Sequence, residues 1–134
     1  MCMSMERKCF AKHEAMDVAK EVKARGVTLL CAALVGEPDV CAGFAVLQRS
    51  SLTLAITKLV VLPHLRRRGV GRALMAAAIA AARNGRAQLC TLHVDESNQP
   101  AIALYQAMGF RIASRRADYY RLGRSALAME LNFG

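Results

Sequence analysis

The chain has 134 residues, and its 19 basic and 10 acidic side chains give a formal net charge of +9. At roughly 150 residues per domain this length predicts a single domain over residues 1–134, and a hydrophobic content of 54% excludes a chain that is disordered by composition. Residues 40–94 contain eight basic side chains and no acidic one, so nearly all the excess charge lies in the middle of the chain, where we expect an anionic partner.

The first half of the chain is predicted to contain one helix and three strands. Apolar residues near helical spacing predict an amphipathic helix from about Met5 to Arg25, ended by Gly26. Three apolar runs rich in strand-forming residues follow, at 27–36, 40–48 and 52–61. Glu37-Pro38-Asp39 and Ser50-Ser51 supply the turns between them. Short turns between successive strands predict an antiparallel meander.

The second half is predicted to alternate helices and strands. The alanine- and leucine-rich segment from Val70 to Arg83 favours a helix, and a second helix is expected from Asn98 to Met108. The buried strand at 87–94 should lie parallel to the preceding strand, because a crossover helix joins the two. Segments 110–120 and 125–133 are typical of a closing hairpin. The predicted class is α/β with one mixed central sheet.

The five cysteines are odd in number and form no closely spaced pair suited to zinc, so no metal site is expected. Cys31, Cys41 and Cys90 lie in apolar runs, which favours buried, reduced thiols and a reducing compartment. The N-terminal segment lacks the apolar stretch of a signal peptide, and the uncharged run from Ala73 to Ala82 is too short to span a membrane. We therefore expect a cytoplasmic protein with no membrane partner.

A basic, glycine-containing segment joins the third predicted strand to the following helix. The first amides of a helix have no intrahelical acceptors and lie at the positive end of its dipole, which suits a phosphate. Glycines let the backbone approach an anion, and arginines add charge and paired donors. The segment lacks the Gly-Lys-Ser/Thr of a Walker loop and the third glycine of a dinucleotide fingerprint. We predict a phosphate site formed by Arg66, Arg67, Arg68, Gly69, Val70, Gly71 and Arg72.

Two motifs in this chain resemble those of the GNAT superfamily of acetyl-CoA-dependent N-acetyltransferases. Arg66-x-x-Gly69-x-Gly71 resembles the family's Gln/Arg-x-x-Gly-x-Gly/Ala loop, which holds the pyrophosphate of coenzyme A. The segment from Asn98 to Phe110 resembles the family's Asn-x-x-Ala-x-x-Leu-Tyr-x-x-x-Gly-Phe block. The resemblance covers roughly residues 27–133 and implies the GNAT fold with acetyl-CoA as cofactor.

Within the superfamily, the chain most resembles the ribosomal-protein-alanine and protein N-terminal acetyltransferases. The similarity rests on Leu92-His93-Val94 and on Arg115-Arg116-x-x-Tyr119-Tyr120. Family members usually have a further strand and helix before the segment at 5–25, and this chain is too short there to hold both. We therefore expect a GNAT-type sheet that lacks the first strand and helix. A truncated form, a shorter variant and completion by another subunit all stay open.

The resemblance also implies roles for individual residues. The backbone of Leu59, Val60 and Val61 would pair with the pantetheine arm of the cofactor, and core packing explains their side chains equally well. Tyr105 takes the place of the general acid that protonates the leaving thiolate, with simple packing as the alternative reading. Asn98 would contact the cofactor, cap its helix, or do both.

His93 is the candidate base, because it is the single ionisable group in an apolar strand and can accept a proton near neutrality, directly or through water. A purely structural histidine is the alternative. Strand alternation places it opposite Leu92 and Val94. By resemblance, Tyr119 and Tyr120 border the acceptor groove. Neighbouring residues of a regular strand point to opposite faces, so at most one should line the groove, and a packing role is expected for the other.

The sequence therefore predicts an N-acetyltransferase that moves acetyl from acetyl-CoA to an amine by direct attack on the thioester. A protein N-terminal α-amine is the favoured acceptor. A small-molecule amine acetyltransferase and a non-catalytic CoA-binding domain are the alternatives, and a polyamine acceptor is disfavoured because residues 40–94 supply no acid. A nucleic-acid partner is disfavoured because aromatic residues are few, tryptophan is absent and the charge centres on the glycine loop. The oligomeric state is left open.

Overall fold

A computed structural model describes residues 16–24, 26–34, 37–62 and 69–134 of the chain. The described elements are, in chain order, β1 (Met16–Ala24), β2 (Val27–Leu34), β3 (Glu37–Ser50), β4 (Thr53–Val61), α1 (Val70–Asn84), β5 (Leu89–Asp95), α2 (Gln99–Ala107), β6 (Arg111–Arg121) and β7 (Arg124–Asn132). The strands form one sheet in the order β1-β2-β3-β4-β5-β7-β6. All adjacent pairs are antiparallel except β4 and β5, which are parallel. The predicted α/β architecture, with its meander, crossover helix and closing hairpin, is confirmed.

The helix predicted over residues 5–25 is wrong for residues 16–24, which form β1. Val18 and Val22 lie four residues apart, a spacing that fits one turn of a helix, but valine also favours strands. The backbone of β2 decides between these, because β1 pairs with it in antiparallel register along its length. Strand β1 therefore extends the predicted meander by one strand, inside the segment where a helix was expected. Residues 5–15 lie outside the described part of the chain.

The turn predicted at Glu37–Asp39 is also wrong, because β3 begins at Glu37. The pairing between β2 and β3 shifts register on both sides of Ala33. Irregular pairing of this kind admits a proline near the start of a strand, where a ladder hydrogen bond is not required. The other predicted boundaries lie within two residues of the observed ones.

Helix α1 packs against the meander strands and anchors the core. Its buried residues lie along one face at helical spacing: Val70, Leu74, Met75, Ala78 and Ala82. Strands β3 and β7 contribute the fully buried side chains of Leu47 and Met129. Full burial of a large apolar side chain stabilises the fold by about 1.5–3 kcal/mol. No helix within the described ranges is long and apolar enough to cross a membrane.

The three cysteines in the described ranges differ in their environments. Cys90 is 0% exposed, and burial raises the pKa of its thiol to about 11, as expected for an inert core thiol. Cys41 is exposed and Cys31 is half-buried. The predicted burial is therefore confirmed for Cys90 and wrong for Cys41, which lies beside a register shift of β3 and is exposed to solvent.

Gly43 lies where β3, β4 and α1 meet, and its lack of a side chain is structurally required. A β-carbon there would lie 2.5 Å from the carbonyl oxygen of Val60 and 3.0 Å from Cγ1 of Val70. We expect Gly43→Ala to lower the free energy of unfolding by about 1–3 kcal/mol, measured by urea denaturation. Gly71→Ala is the matched control, because a β-carbon at Gly71 makes only ordinary contacts at 3.8 Å. Equal loss in both variants would contradict close packing at Gly43.

Candidate active site

Strands β4 and β5 separate partway along their length. Their parallel ladder ends at the pair Ile56–Leu92. Just beyond this point Thr57 is the extra residue of a β-bulge, lying between the pairs that Ile56 and Lys58 make with β3. Its hydroxyl donates a hydrogen bond to the carbonyl oxygen of Val46 at 3.2 Å. Because a bulge bends its strand, β4 turns away from β5 and a gap opens between the two.

The gap is a cavity of about 270 Å³. Its walls come from β4, β5, α2 and β6, and are formed by Ile56, Thr57, Lys58, Leu59, Leu92, His93, Val94, Asp95, Asn98, Tyr105 and Tyr120. A second cavity of about 300 Å³ lies further along β4, between Val61 and the first turns of α1 and α2. We call these two cavities together the cleft. The fold thus brings together predicted site residues that are far apart in the sequence.

Leu59, Val60 and Val61 form the end of β4 that borders the cleft. In the described sheet they pair with β3 on one side only, since the ladder to β5 has already ended. Their backbone groups on the β5 side are therefore available to an extended ligand, in the manner of strand addition. Leu59 lines the first cavity and Val61 the second, which fits the predicted backbone contact.

Helix α1 presents its N-terminus to the second cavity. Gly69 precedes the helix with φ of +81°, a left-handed conformation that favours glycine, and a β-carbon there would face open space. Among the described residues no side chain caps this end, and its first turn contains no acid. The first-turn amides, which include those of Val70 and Gly71, therefore have no partner in that part of the chain and can bind an anion beside Arg72. Arg66, Arg67 and Arg68 lie outside the described residues.

Asn98 caps helix α2 at the edge of the first cavity. Its side-chain oxygen accepts a hydrogen bond from the backbone nitrogen of Ala101 at 3.2 Å, so the predicted capping role is confirmed. Pro100 lies in the first turn, as predicted. The cap fixes where α2 begins and therefore which of its side chains face the cleft.

Tyr105 lies on α2 and lines the first cavity. It is only 8% exposed, and its ring lies tilted against that of Phe110 with the centroids 6.3 Å apart. Burial raises the pKa of Tyr105, and the neighbouring Tyr120 raises it further. The hydroxyl therefore stays protonated at neutral pH and is a hydrogen-bond donor. Tyr105 both packs the helix and lines the cavity.

His93 projects from β5 into the cleft, while Leu92 and Val94 are buried on the opposite face as predicted. Its imidazole stacks on the ring of Tyr119, with centroids 4.6 Å apart and planes at 12°. Partial burial lowers the pKa of His93, and the positive charge of Arg116 lowers it further. At neutral pH the imidazole is therefore uncharged and able to accept a proton.

The end of β6 is irregular, so the alternation expected for Tyr119 and Tyr120 does not apply. The pairing with β7 shifts register between Arg116 and Arg121, and Asp118 has a φ of +53°. The two tyrosine rings meet edge to face, with centroids 5.0 Å apart. Tyr120 lines the first cavity, and Tyr119 packs on the histidine beside it.

Comparison with known proteins agrees with this geometry. Residues 3–110 match the Acetyltransferase (GNAT) family. The chain belongs to this family. It is 37% identical over 78 residues to the N-alpha-acetyltransferase MAK3 of Arabidopsis thaliana, an alignment that covers 58% of this chain and 41% of that protein. The chain thus spans less than half the length of this curated relative.

Solved structures of acetyltransferases share the fold of the chain. The ribosomal-protein-S18-alanine N-acetyltransferase from Escherichia coli matches with a TM-score of 0.75 and 28% identity, over 84% of this chain and 72% of that one. Nourseothricin acetyltransferase matches with a TM-score of 0.74 and 26% identity, over 91% of this chain and 85% of that one. The predicted GNAT resemblance is confirmed.

Asp95 is a cleft residue of this GNAT chain that the sequence analysis missed. One carboxylate oxygen accepts hydrogen bonds from the backbone nitrogen and hydroxyl of Ser97, at 2.9 and 2.7 Å. The other accepts from Nε of Arg124 at 2.6 Å. The hydrogen bonds from Ser97 have the largest effect and that from Arg124 adds to it, and together they lower the pKa of Asp95 to about 2. Asp95 directly follows the acid-free stretch at 40–94, so an acid borders the cleft although that stretch itself supplies none. A polar residue ending a buried strand was the available signal.

Two ion pairs join the closing hairpin of the GNAT sheet to the end of β5. Besides the bond from Arg124 to Asp95, Arg115 donates to both carboxylate oxygens of Glu96, at 2.7 and 2.9 Å. Arg115 also donates to the buried hydroxyl of Ser125 at 3.1 Å. Paired, planar bonds of this kind fix orientation, so they hold the hairpin that carries the two tyrosines beside the cleft.

Proposed function

We propose that the chain is a single acetyltransferase domain that transfers acetyl from acetyl-CoA to an amine, with a protein N-terminal α-amine as the acceptor. The observation that carries the proposal is the gap between the parallel strands β4 and β5, which surrounds one cavity with Tyr105 and His93 beside a glycine-lined helix N-terminus. Family membership supports acetyl transfer. Likeness to MAK3 and to the ribosomal-protein-alanine enzyme supports the α-amine acceptor.

The residues of the cleft fit coenzyme A. On the β5 side Leu59–Val61 pair with no strand of the described sheet, so their backbone offers partners to the amides of the pantetheine arm. The first-turn amides of α1 and the Arg72 side chain offer donors and positive charge to the pyrophosphate. The three arginines that precede Gly69 in the sequence add charge to the same end, and Asn98 borders the first cavity. When bound, acetyl-CoA supplies an acetyl group activated as a thioester.

Tyr105 and His93 perform the proton transfers in this proposal. The Tyr105 hydroxyl, kept protonated by its raised pKa, donates its proton to the departing thiolate. The neutral His93 accepts a proton from the attacking amine, directly or through water. Tyr119 holds the imidazole ring by stacking, and Tyr120 lines the cavity wall that the acceptor would contact. General acid–base catalysis of this kind contributes about 10²–10⁴-fold to the rate.

The acceptor class is tested with acetyl-CoA and three acceptor sets. The first is a peptide library with free α-amines and no lysine, the second has blocked α-amines and one lysine, and the third is a panel of aminoglycoside-type and polyamine small molecules. We expect acetylation of the first set, read by mass spectrometry. Labelling confined to the second or third set would overturn the α-amine acceptor. Acetyl-CoA binding without labelling of any set would identify a non-catalytic CoA-binding domain.

A small-molecule amine is the second candidate acceptor. The carboxylate of Asp95 in the cleft wall and the likeness to nourseothricin acetyltransferase favour it. However, Arg124 and Ser97 already engage both oxygens of this carboxylate. A cationic acceptor would have to compete with Arg124, which is why the α-amine is preferred.

We expect His93→Ala to lower kcat/KM by roughly 100-fold within a limited pH window. Below the lowered pKa of His93, the wild-type imidazole is protonated and cannot act as a base, so the two enzymes should converge. Above the pKa of the acceptor, about 8 for an α-amine, the amine is neutral without help, so the difference should shrink again. A pH–rate profile measures this window.

Arg116→Ala is the matched control for this pH dependence. It keeps the imidazole but removes a positive charge that lowers the pKa of His93. The acidic limb should therefore move toward higher pH, with an unchanged plateau. A His93→Ala profile that runs parallel to the wild type at every pH would assign the base to another group.

A further inference from the structure

Cys31 on β2 and Cys41 on β3 form a pair of thiols outside the cleft. Their Sγ atoms lie 2.8 Å apart. A covalent S–S bond is about 2.05 Å long, so a small movement would bring the two sulfur atoms within bonding distance. Cys31 lies opposite Phe44, and Cys41 lies opposite Ala33. The two cysteines are therefore diagonal neighbours on one face of the sheet, where side chains of adjacent strands can meet.

The irregular pairing of β2 with β3 explains this close approach. The register shifts between Ala32 and Ala33, so that Ala42 is left over between the pairs made by Gly43 and Cys41. A bulge re-aims the side chains beside it, and Cys41 is turned so that its thiol contacts both Cys31 and the carbonyl oxygen of Gly43, the latter at 3.2 Å. Cys41 is also exposed, so an oxidant in solution can reach it.

We propose that Cys31 and Cys41 are an oxidation site, forming a reversible disulfide when the folded protein meets a small-molecule disulfide such as oxidised glutathione. The exposed Cys41 attacks first as its thiolate, which breaks the glutathione S–S bond, forms a mixed disulfide and releases one glutathione thiolate. The Cys31 thiolate then attacks Sγ of Cys41 and releases the second glutathione. The two cysteine protons pass to the two glutathione thiolates. The two cysteines thereby lose two electrons to oxidised glutathione, which is reduced to two glutathione thiols.

Cys90 does not compete in this exchange. It is fully buried, and its raised pKa leaves its thiol protonated at neutral pH, whereas the thiolate is the attacking form. Neither Cys31 nor Cys41 lines the cleft, so the oxidised protein should still bind acetyl-CoA. The bond closes a loop of about ten residues and should raise the melting temperature by roughly 5–10 °C, reversibly with reductant.

Peptide mapping tests the proposal. Trypsin leaves both cysteines in one peptide, residues 26–49, because no lysine or arginine lies between Gly26 and Arg49. After oxidised glutathione and alkylation, we expect this peptide unalkylated and lighter than the reduced peptide by two hydrogen masses. Further cleavage before Asp39 should leave two fragments that stay joined until they are reduced.

Variants and an unfolded control define what would overturn the proposal. Cys31→Ser and Cys41→Ser should each abolish the joined fragments, whereas Cys90→Ala should retain them. The same reaction in urea should lose its selectivity, because the fold no longer aligns the pair. Three results with the wild-type peptide 26–49 would refute the assignment. They are alkylation of both cysteines, a persistent glutathione adduct on Cys41, and a disulfide bond to any other cysteine. These three results are read on the wild-type chain, so they decide the proposal even if a variant fails to fold.

Discussion

Gly71→Glu is expected to weaken acetyl-CoA binding at least about 100-fold, a loss of about 2.7 kcal/mol. Gly71 is the second residue of α1 and lines the second cavity. A glutamate there would place bulk and a negative charge where the first-turn amides converge, and would repel the pyrophosphate.

The same substitution should leave the free chain at least as stable as the parent. A β-carbon at Gly71 would lie 3.8 Å from Leu104 and Val61, which is ordinary contact. Replacing an in-helix glycine improves helix propensity by up to about 1 kcal/mol, and an acid in the first turn is favourable to the helix dipole. Loss of binding would therefore report on the cofactor site and not on unfolding.

Calorimetry and thermal shift with acetyl-CoA measure the two effects separately. Ala76→Glu is the matched control, since it adds the same charge at an exposed position of the same helix and should bind normally. If Gly71→Glu binds within about threefold of the parent, the pyrophosphate does not lie at the N-terminus of α1.

Tyr105→Phe is expected to reduce kcat by roughly 100-fold while acetyl-CoA affinity stays unchanged. The substitution removes only the hydroxyl, which the buried site keeps protonated at neutral pH. The phenyl ring retains its contact with Phe110, so the packing of α2 should survive. The departing thiolate then lacks its proton donor, and the chemical step slows.

Tyr105→Leu is the companion variant, because it removes the hydroxyl and the ring together. Both variants should lose turnover in steady-state assays, and only the leucine variant should lower the melting temperature. Full turnover by Tyr105→Phe would make Tyr105 a packing residue without a catalytic role.

Local sequence rules predicted those parts of the site that lie within one element. The helix that begins at Asn98 and the side of β5 that carries His93 both follow from the spacing of neighbouring residues. Helix α1 also begins at Val70, as predicted, within the glycine-containing segment. In each case the physical cause lies within a few residues of the chain.

The parts that could not be predicted depend on pairing between distant segments. Residues 16–24 have a pattern compatible with helix or strand, and only the adjacent β2 makes them a strand. The gap between β4 and β5 depends on the bulge at Thr57, which is defined by its pairing with β3. The placement of both tyrosines near the cleft depends on the left-handed backbone of Asp118, where a regular strand was assumed.

Placement of acetyl-CoA between β4 and β5 is tested most directly by amide NMR of the isotope-labelled protein during titration with coenzyme A. The predicted result is a saturable change in the amide signals of Leu59–Val61 and Gly69–Arg72, which border the cleft, with β1 unaffected. Changes confined to other parts of the sheet, or no change at high ligand concentration, would contradict binding in the gap.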